Sequence, residues 1–208
     1  MFKFSDCQKW VINLERRPDR LAEVSEQLFR FGVLVWRATD SKDVVVPELC
    51  RKHKEHNAAG IYACALSHIS LIKEAKERNL EYVTIFEDDC VISKDFDSGI
   101  KEIEGHEYWD VAYLGGHDQE AKQITGNIYK VTRCSGTYGY ILRNTTFDYI
   151  LRNWIYEWGW DEFLAYHVQD KFRTIARLPF IVGTKPNYSD VAFHDVNVSI
   201  APGVKFGT

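Results

Sequence analysis

The stretch Tyr82–Cys90, YVTIFEDDC, runs five largely apolar residues into three consecutive carboxylates, Glu87, Asp88 and Asp89. A short apolar run rich in β-branched and aromatic residues reads as a buried strand. In an open, mainly parallel sheet, ligands sit at the carboxyl ends of the strands, where strand order reverses. Three like charges at such an end repel one another unless a cation compensates them. Hard carboxylate oxygens suit Mn2+ or Mg2+, which complete their octahedra with water and phosphate oxygens. The stretch therefore points to a divalent metal bridging a diphosphate, against the plainer reading of a solvated acidic turn.

Working outward, the preceding residues predict a long helix from Gly60 to Arg78, with Ile61, Cys64, Ala65, His68, Ile69, Ile72 and Ala75 on one face. On periodicity alone His68 is a core histidine. Near the start of the chain, Trp10 to Leu14 reads as a strand, and Pro18 suits the first turn of the helix that follows. Leu21, Val24, Leu28 and Phe31 recur at spacings of three and four, and Gly32 ends that helix. Val33 to Ala38 reads as a second strand running towards Asp40. Strand, helix, strand in this order favours parallel pairing through a right-handed crossover. From Ser41 to Ala58 the chain is polar and carries its densest basic cluster, Arg51, Lys52, His53, Lys54 and His56. A solvated surface accounts for such a run, and a phosphate or acceptor contact is the alternative.

Downstream, WDVAYLGGH predicts a strand ending in a glycine pair, and NIYKV and GTYGYIL predict two more. NTTFDYILRN predicts a helix with Asn144 as N-cap and Phe147, Ile150, Leu151 and Trp154 on one face. WGWDEFLAYHV reads as a short helix, TIARLPFIVG as a last strand, and residues 184–208 as a loop-like tail. The fold class expected is α/β, a single domain over residues 1–208 built on a Rossmann-like, mainly parallel central sheet with flanking helices.

Composition excludes several classes. The chain has 208 residues, 45% of them hydrophobic and 14% aromatic, enough for a full core, and a formal charge of −4 gives no global field towards nucleic acid or anionic membrane. Five cysteines without CxxC spacing suggest neither a disulfide framework nor a zinc site, so a reducing, cytoplasmic setting is expected. No apolar run approaches the roughly 18 residues needed to span a bilayer, and MFKFSDCQKW lacks the apolar core of a signal peptide.

Three segments together, VINLERRPDR, GIYACALSHISLIKEA and VTIFEDDCVIS, resemble the signature of glycosyltransferase family 25, which includes lipooligosaccharide and collagen galactosyltransferases. Weaker agreement continues through WDVAYLGG, GTYGYILRN and WDEFL, so the resemblance covers about residues 10 to 165. It implies a GT-A fold, a nucleotide-sugar donor, a divalent metal and inversion at the anomeric carbon. On the matching positions, it implies that Glu87 and Asp89 are the outer residues of a DxD-like metal motif with Asp88 between them. Asn13, Arg16 and Arg20 match the motif after the first strand, where the arginines would meet donor phosphate. Asp40 is placed for the nucleoside, Ser67 and His68 match an LSH element on the donor side, and Asp161 matches an acidic position facing the acceptor. His194 is a candidate third metal ligand.

The expected reaction moves a sugar, most simply from a UDP-sugar, to a hydroxyl of a surface glycan, with Asp161 as general base. Trp158 and Trp160 are candidates for stacking on sugar or base, or for the core. One alternative acceptor is hydroxymethylated DNA, as for some phage enzymes, favoured only by the Arg51–His56 cluster. A nucleotide-sugar-binding protein without transfer activity is the non-enzyme alternative. A phosphoesterase with two metals would need further His or Asp ligands, which the pattern lacks.

Overall fold

The structure, a computed structural model, describes residues 1–48 and 57–184, without the side chains of 118 and 119, and the backbone of 187–188 and 195–196. Strand β1 spans Gln8–Asn13, helix α1 Pro18–Leu28 and strand β2 Leu34–Arg37. Gly32, at φ 71°, caps the 3-10 turn Phe29–Phe31 that follows α1, in the left-handed region glycine tolerates best. Helix α2 is Ala58–Glu77, with the Asn57 side chain accepting from Gly60 N, and β3 is Tyr82–Glu87. β1 pairs in parallel with both β2 and β3, as the strand–helix–strand order predicts.

The second half departs from its sequence reading in several places. Strand β4, Cys90–Ile92, and helix α3, Phe96–Glu104, have no counterpart in the expected elements. The glycine pair does not end its strand: β5 runs from Val111 to Thr125, bending through register shifts between Tyr113 and Glu120. NIYKV and GTYGYIL form one strand, β6, Ile128–Arg143. Asn144 is not an N-cap, because a 3-10 turn over Asn144–Thr146 precedes helix α4, Phe147–Asn153. Helix α5, Trp160–Phe163, continues as a π-helical turn over Leu164–Val168. The last predicted strand is two, β7 (Thr174–Arg177) and β8 (Val182–Thr184), divided around Pro179, which has no N–H for a ladder. The tail is not wholly loop, since β9 (Asn187–Tyr188) and β10 (Asp195–Val196) pair antiparallel.

The central sheet has the order β2-β1-β3-β6-β5-β7. It is mixed and mostly parallel: β1 with β2, β1 with β3 and β5 with β7 are parallel, and β6 runs antiparallel to β3 and β5. Alternation along each strand divides the core into two layers. Trp10, Ile12, Val83, Ile85 and Tyr140 face α2, α4 and α5, while Val11, Phe86, Ala112 and Ile141 face α1 and α3. Among the described residues no helix is long and apolar enough to cross a membrane, and the four described cysteines, Cys7, Cys64, Cys90 and Cys134, are free.

Candidate active site

The carboxyl ends of β1 and β3 lie side by side, with Ile12 registered against Glu87. Parallel pairing thus brings Asn13 and the turn before α1 to the acidic cluster, which stands at the switch from β3's parallel partner to its antiparallel one. The three carboxylates are not equivalent. Asp88 is held inside the protein: Arg20 donates to Oδ1 at 3.0 Å and Asn13 Nδ2 to Oδ2 at 2.8 Å. Burial still pushes its carboxyl above the ordinary value, against the pull of Arg20. Glu87 accepts from the Thr137 hydroxyl and lies 3.6 Å from His68 Nε2. Burial pushes Glu87 up, but the contacts with His68 and Thr137 outweigh it, so the group ionises below its usual range.

Asp89 is the exception. Its Oδ1 is buried and has no hydrogen-bond partner among the described residues. Burial, with the charges of Glu87 and Asp88 adding to it, pushes this carboxyl up to about 7. A buried acceptor left unmade costs on the order of 1–3 kcal/mol, so the arrangement needs a reason. A divalent cation fits: Asp89 and Glu87 offer hard oxygens at one strand end, and such ions take their remaining ligands from water and phosphate. Among the described residues no group of three or more His, Cys, Asp and Glu side chains is arranged for a metal. His194 lies outside the described residues, as does the basic cluster Arg51–His56.

Of the other expected donor residues, Arg16, Arg20, Ser67 and His68 line one cleft with the acidic cluster, whereas Asn13 and Asp40 do not line it and reach it only through Asp88 and Arg16. Arg16 and Arg20 form its basic side, and Thr39, Ser67 and His68 lie along its other walls. Arg16 Nε donates to Asp40 Oδ2 at 3.0 Å, and Ser67 Oγ accepts from Thr39 N at 2.9 Å. Asp40 and Ser67 therefore fix the segment after β2 against the β1–α1 turn and α2, where Ala38, Thr39 and Ser41 line the cleft.

Asp161 stands in a second cavity, of about 330 Å³, that shares Glu87 and Cys64 with the first. Its Oδ2 accepts from Gly136 N at 3.3 Å. Sequence reasoning missed the neighbours that shape this cavity, Thr137, Tyr138 and His117. The His117 Nδ1 and Tyr138 hydroxyl are 2.8 Å apart across the β5–β6 hairpin. Gly136 makes this possible, since a Cβ there would lie 2.6 Å from His117 Nδ1 and its φ is +77°. The available signal was the density of glycines in WDVAYLGGH and SGTYGY. Trp160 is a core residue, 2% exposed and stacked on His68, and Trp158 packs against Tyr166 and His167.

A mixed, mostly parallel sheet with carboxylates at a strand end and an acidic residue across an adjoining cavity is compatible with the transferase that the sequence resemblance implies. The sequence profile of glycosyltransferase family 25 (LPS biosynthesis protein) matches residues 7–164, and the chain belongs to that family. No curated protein sequence matches the chain. Among solved structures, A197 from STIV is 11% identical at a TM-score of 0.46, with 92% of this chain and 96% of that chain covered. A glycosyltransferase involved in the glycosylation of the major capsid of PBCV-1 is 9% identical at 0.47, covering 88% and 94%. Mannose-1-phosphate geranyltransferase from Thermus thermophilus is 10% identical at 0.40, covering 83% and 73%.

Proposed function

We propose that the protein is a metal-dependent, inverting glycosyltransferase that takes a UDP-sugar and transfers its sugar to a hydroxyl of a glycan. The observation that carries this reading is the Asp89 Oδ1 left without a partner among the described residues, beside Glu87 in a cleft that Arg16 and Arg20 also line. Glu87 and Asp89 would hold Mn2+ or Mg2+, which when bound supplies Lewis-acid stabilisation to a leaving diphosphate. Arg16, at the mouth, and Arg20, behind Asp88, add positive charge where the phosphates would lie. Asp88 and Asn13 lock Arg20 and the β1–α1 turn in place.

The adjoining cavities support inversion. With the donor in the cleft of Asp89 and the acceptor beside Asp161, the attacking hydroxyl approaches the anomeric carbon from the side away from the diphosphate. Asp161 takes the hydroxyl proton as the new bond forms. The glycan acceptor is favoured over modified DNA by the family, whose description is of LPS biosynthesis, and by a formal charge of −4 that gives no global attraction to nucleic acid. The test is a donor panel with Mn2+, scored for hydrolysis and for transfer to methyl glycosides. UDP-sugar turnover that survives full chelation would sink the metal assignment, and turnover of only non-uridine donors would sink the donor assignment.

A further inference from the structure

His68 is 1% exposed, on the inner face of α2, where it touches three elements at once. Its ring is stacked on Trp160 of α5, with centroids 4.9 Å apart and planes 7° from parallel. Its Nδ1 lies 2.8 Å from the hydroxyl of Tyr140 on β6. The same hydroxyl lies 3.0 Å from Trp160 Nε1. The other ring nitrogen, Nε2, is 3.6 Å from Glu87 Oε1 on β3.

The chemistry of these groups fixes the direction of each proton. An indole N–H only donates, so the Tyr140 oxygen accepts from Trp160. Tyr140 is fully buried, burial keeps its phenol protonated, and its proton needs an acceptor. Among the described residues His68 Nδ1 is the one partner left. A lone pair on Nδ1 puts the hydrogen of the neutral ring on Nε2, facing the Glu87 carboxylate. The reverse tautomer would strand the phenolic proton and set a lone pair against a carboxylate, and a doubly protonated ring would strand the same proton. Glu87 Oε1 then faces the imidazole N–H and receives the Thr137 hydroxyl, while Oε2 makes no hydrogen bond within the described residues.

We propose that His68 is a positioning residue, fixed as the Nε2–H tautomer by a buried chain from Trp160 through Tyr140, and that it orients Glu87 so that Oε2 is presented to the cation. The separation of 3.6 Å is long for a hydrogen bond, and a cation held by Oε2 would favour its shortening. The task given to Glu87 rests on the proposed function; the tautomer does not. The relay also joins α5, which carries Asp161, to the strand that carries the metal carboxylates.

The tautomer is read in the metal-free protein labelled with 15N-histidine, by long-range 1H–15N correlation, with His68→Gln identifying the signal. The expected pattern has the proton on Nε2; a proton on Nδ1, or on both nitrogens, overturns the proposal. In Tyr140→Phe the pattern should lose its single form, and retention of it would equally count against the relay. The second readout is binding of Mn2+ alone. In His68→Gln the amide nitrogen reaches about the place of Nε2 and should keep affinity within roughly tenfold; His68→Asn reaches only the place of Nδ1 and should lose roughly 10–100-fold, the usual scale for a partner behind a metal ligand. Equal loss in the two variants overturns the positioning role. Absence of UDP-sugar turnover in the wild-type protein, with the Nε2–H pattern present, would remove the proposed function and leave the relay standing.

Discussion

Asp89 carries opposite demands in the free and the metal-bound protein. Its carboxyl is pushed up to about 7 in the fold, against about 3.9 for an exposed aspartate. Between these values the folded chain binds a proton that the unfolded chain has released, so stability falls as pH rises through the window. The metal-free protein should therefore lose stability from about pH 4 to about pH 7. Mn2+ should restore it, raising the melting temperature more at pH 8 than at pH 5. Asp89→Asn should flatten the profile, melt roughly 5 °C higher than metal-free wild type at pH 8, and no longer respond to Mn2+. Calorimetry at the two pH values, with and without Mn2+, decides this; an unchanged profile in the variant would place the destabilisation elsewhere. On the proposed function Asp161 makes a different demand, because it would meet the acceptor and not the metal. Asp161→Asn keeps the volume and the contact with Gly136 N but cannot take a proton. Transfer should fall by about a hundredfold or more, with UDP and Mn2+ binding near normal. A parallel loss of UDP binding, measured by titration calorimetry, would make Asp161 a donor or folding residue instead.

Two elements build the site in different ways, and they were unequally legible. The parallel unit β1–α1–β2 with β3 announces itself, because apolar runs, Pro18, Gly32 and the terminal carboxylates are all local signals. Asn13, Arg20 and Asp88 are named as site residues through the family resemblance, and their mutual hydrogen bonds appear only in the fold. The hairpin β5–β6 gives no such signal. His117 and Tyr138 are 21 residues apart and meet across irregular pairing, whose register no alternation of apolar residues discloses. Helix α3 escaped for another reason: Gly99 sits inside it, lowering its propensity, yet a Cβ there would lie 2.6 Å from Ile181 Cγ2. The hairpin's bend can be tested through its glycines. Gly136→Ala and Gly32→Ala both place a side chain at positive φ, at +77° and +71°, and each should cost about 1–2 kcal/mol of stability. Nothing lies within 4 Å of a Cβ at 32, whereas one at 136 meets His117. Denaturant melts should therefore show a larger loss in Gly136→Ala than in Gly32→Ala, and transfer should fall only in Gly136→Ala. Normal transfer in that variant would remove His117 and its cavity from the acceptor site.

At the scale of the molecule, two cavities meet at Glu87 and Cys64, and on the proposed function one is the donor cleft and the other the acceptor cavity. The donor cleft combines a carboxylate pair with Arg16 and Arg20, so neither a cation nor a diphosphate is fully matched alone. A metal without phosphate has two protein carboxylates and lies near arginines; a diphosphate without metal meets the arginines but also three carboxylates. Bound together, each ligand removes the other's repulsion, and the two affinities must be coupled. Linkage makes that coupling reciprocal: the factor by which Mn2+ tightens UDP equals the factor by which UDP tightens Mn2+. Titration calorimetry should find a factor of roughly 10–100, within the usual 1–3 kcal/mol of coupling between sites. Uridine, which has no diphosphate, should show almost none, and Ca2+ should couple more weakly than Mn2+ because two carboxylates leave a larger ion short of ligands. Arg20→Ala should weaken UDP more than uridine, and it also frees Asp88 to repel the diphosphate. Asp89→Asn should bring the coupling factor close to one while leaving the affinity for uridine near normal. UDP and Mn2+ that bind independently in the wild-type protein would show that the acidic strand end serves the fold and not the donor.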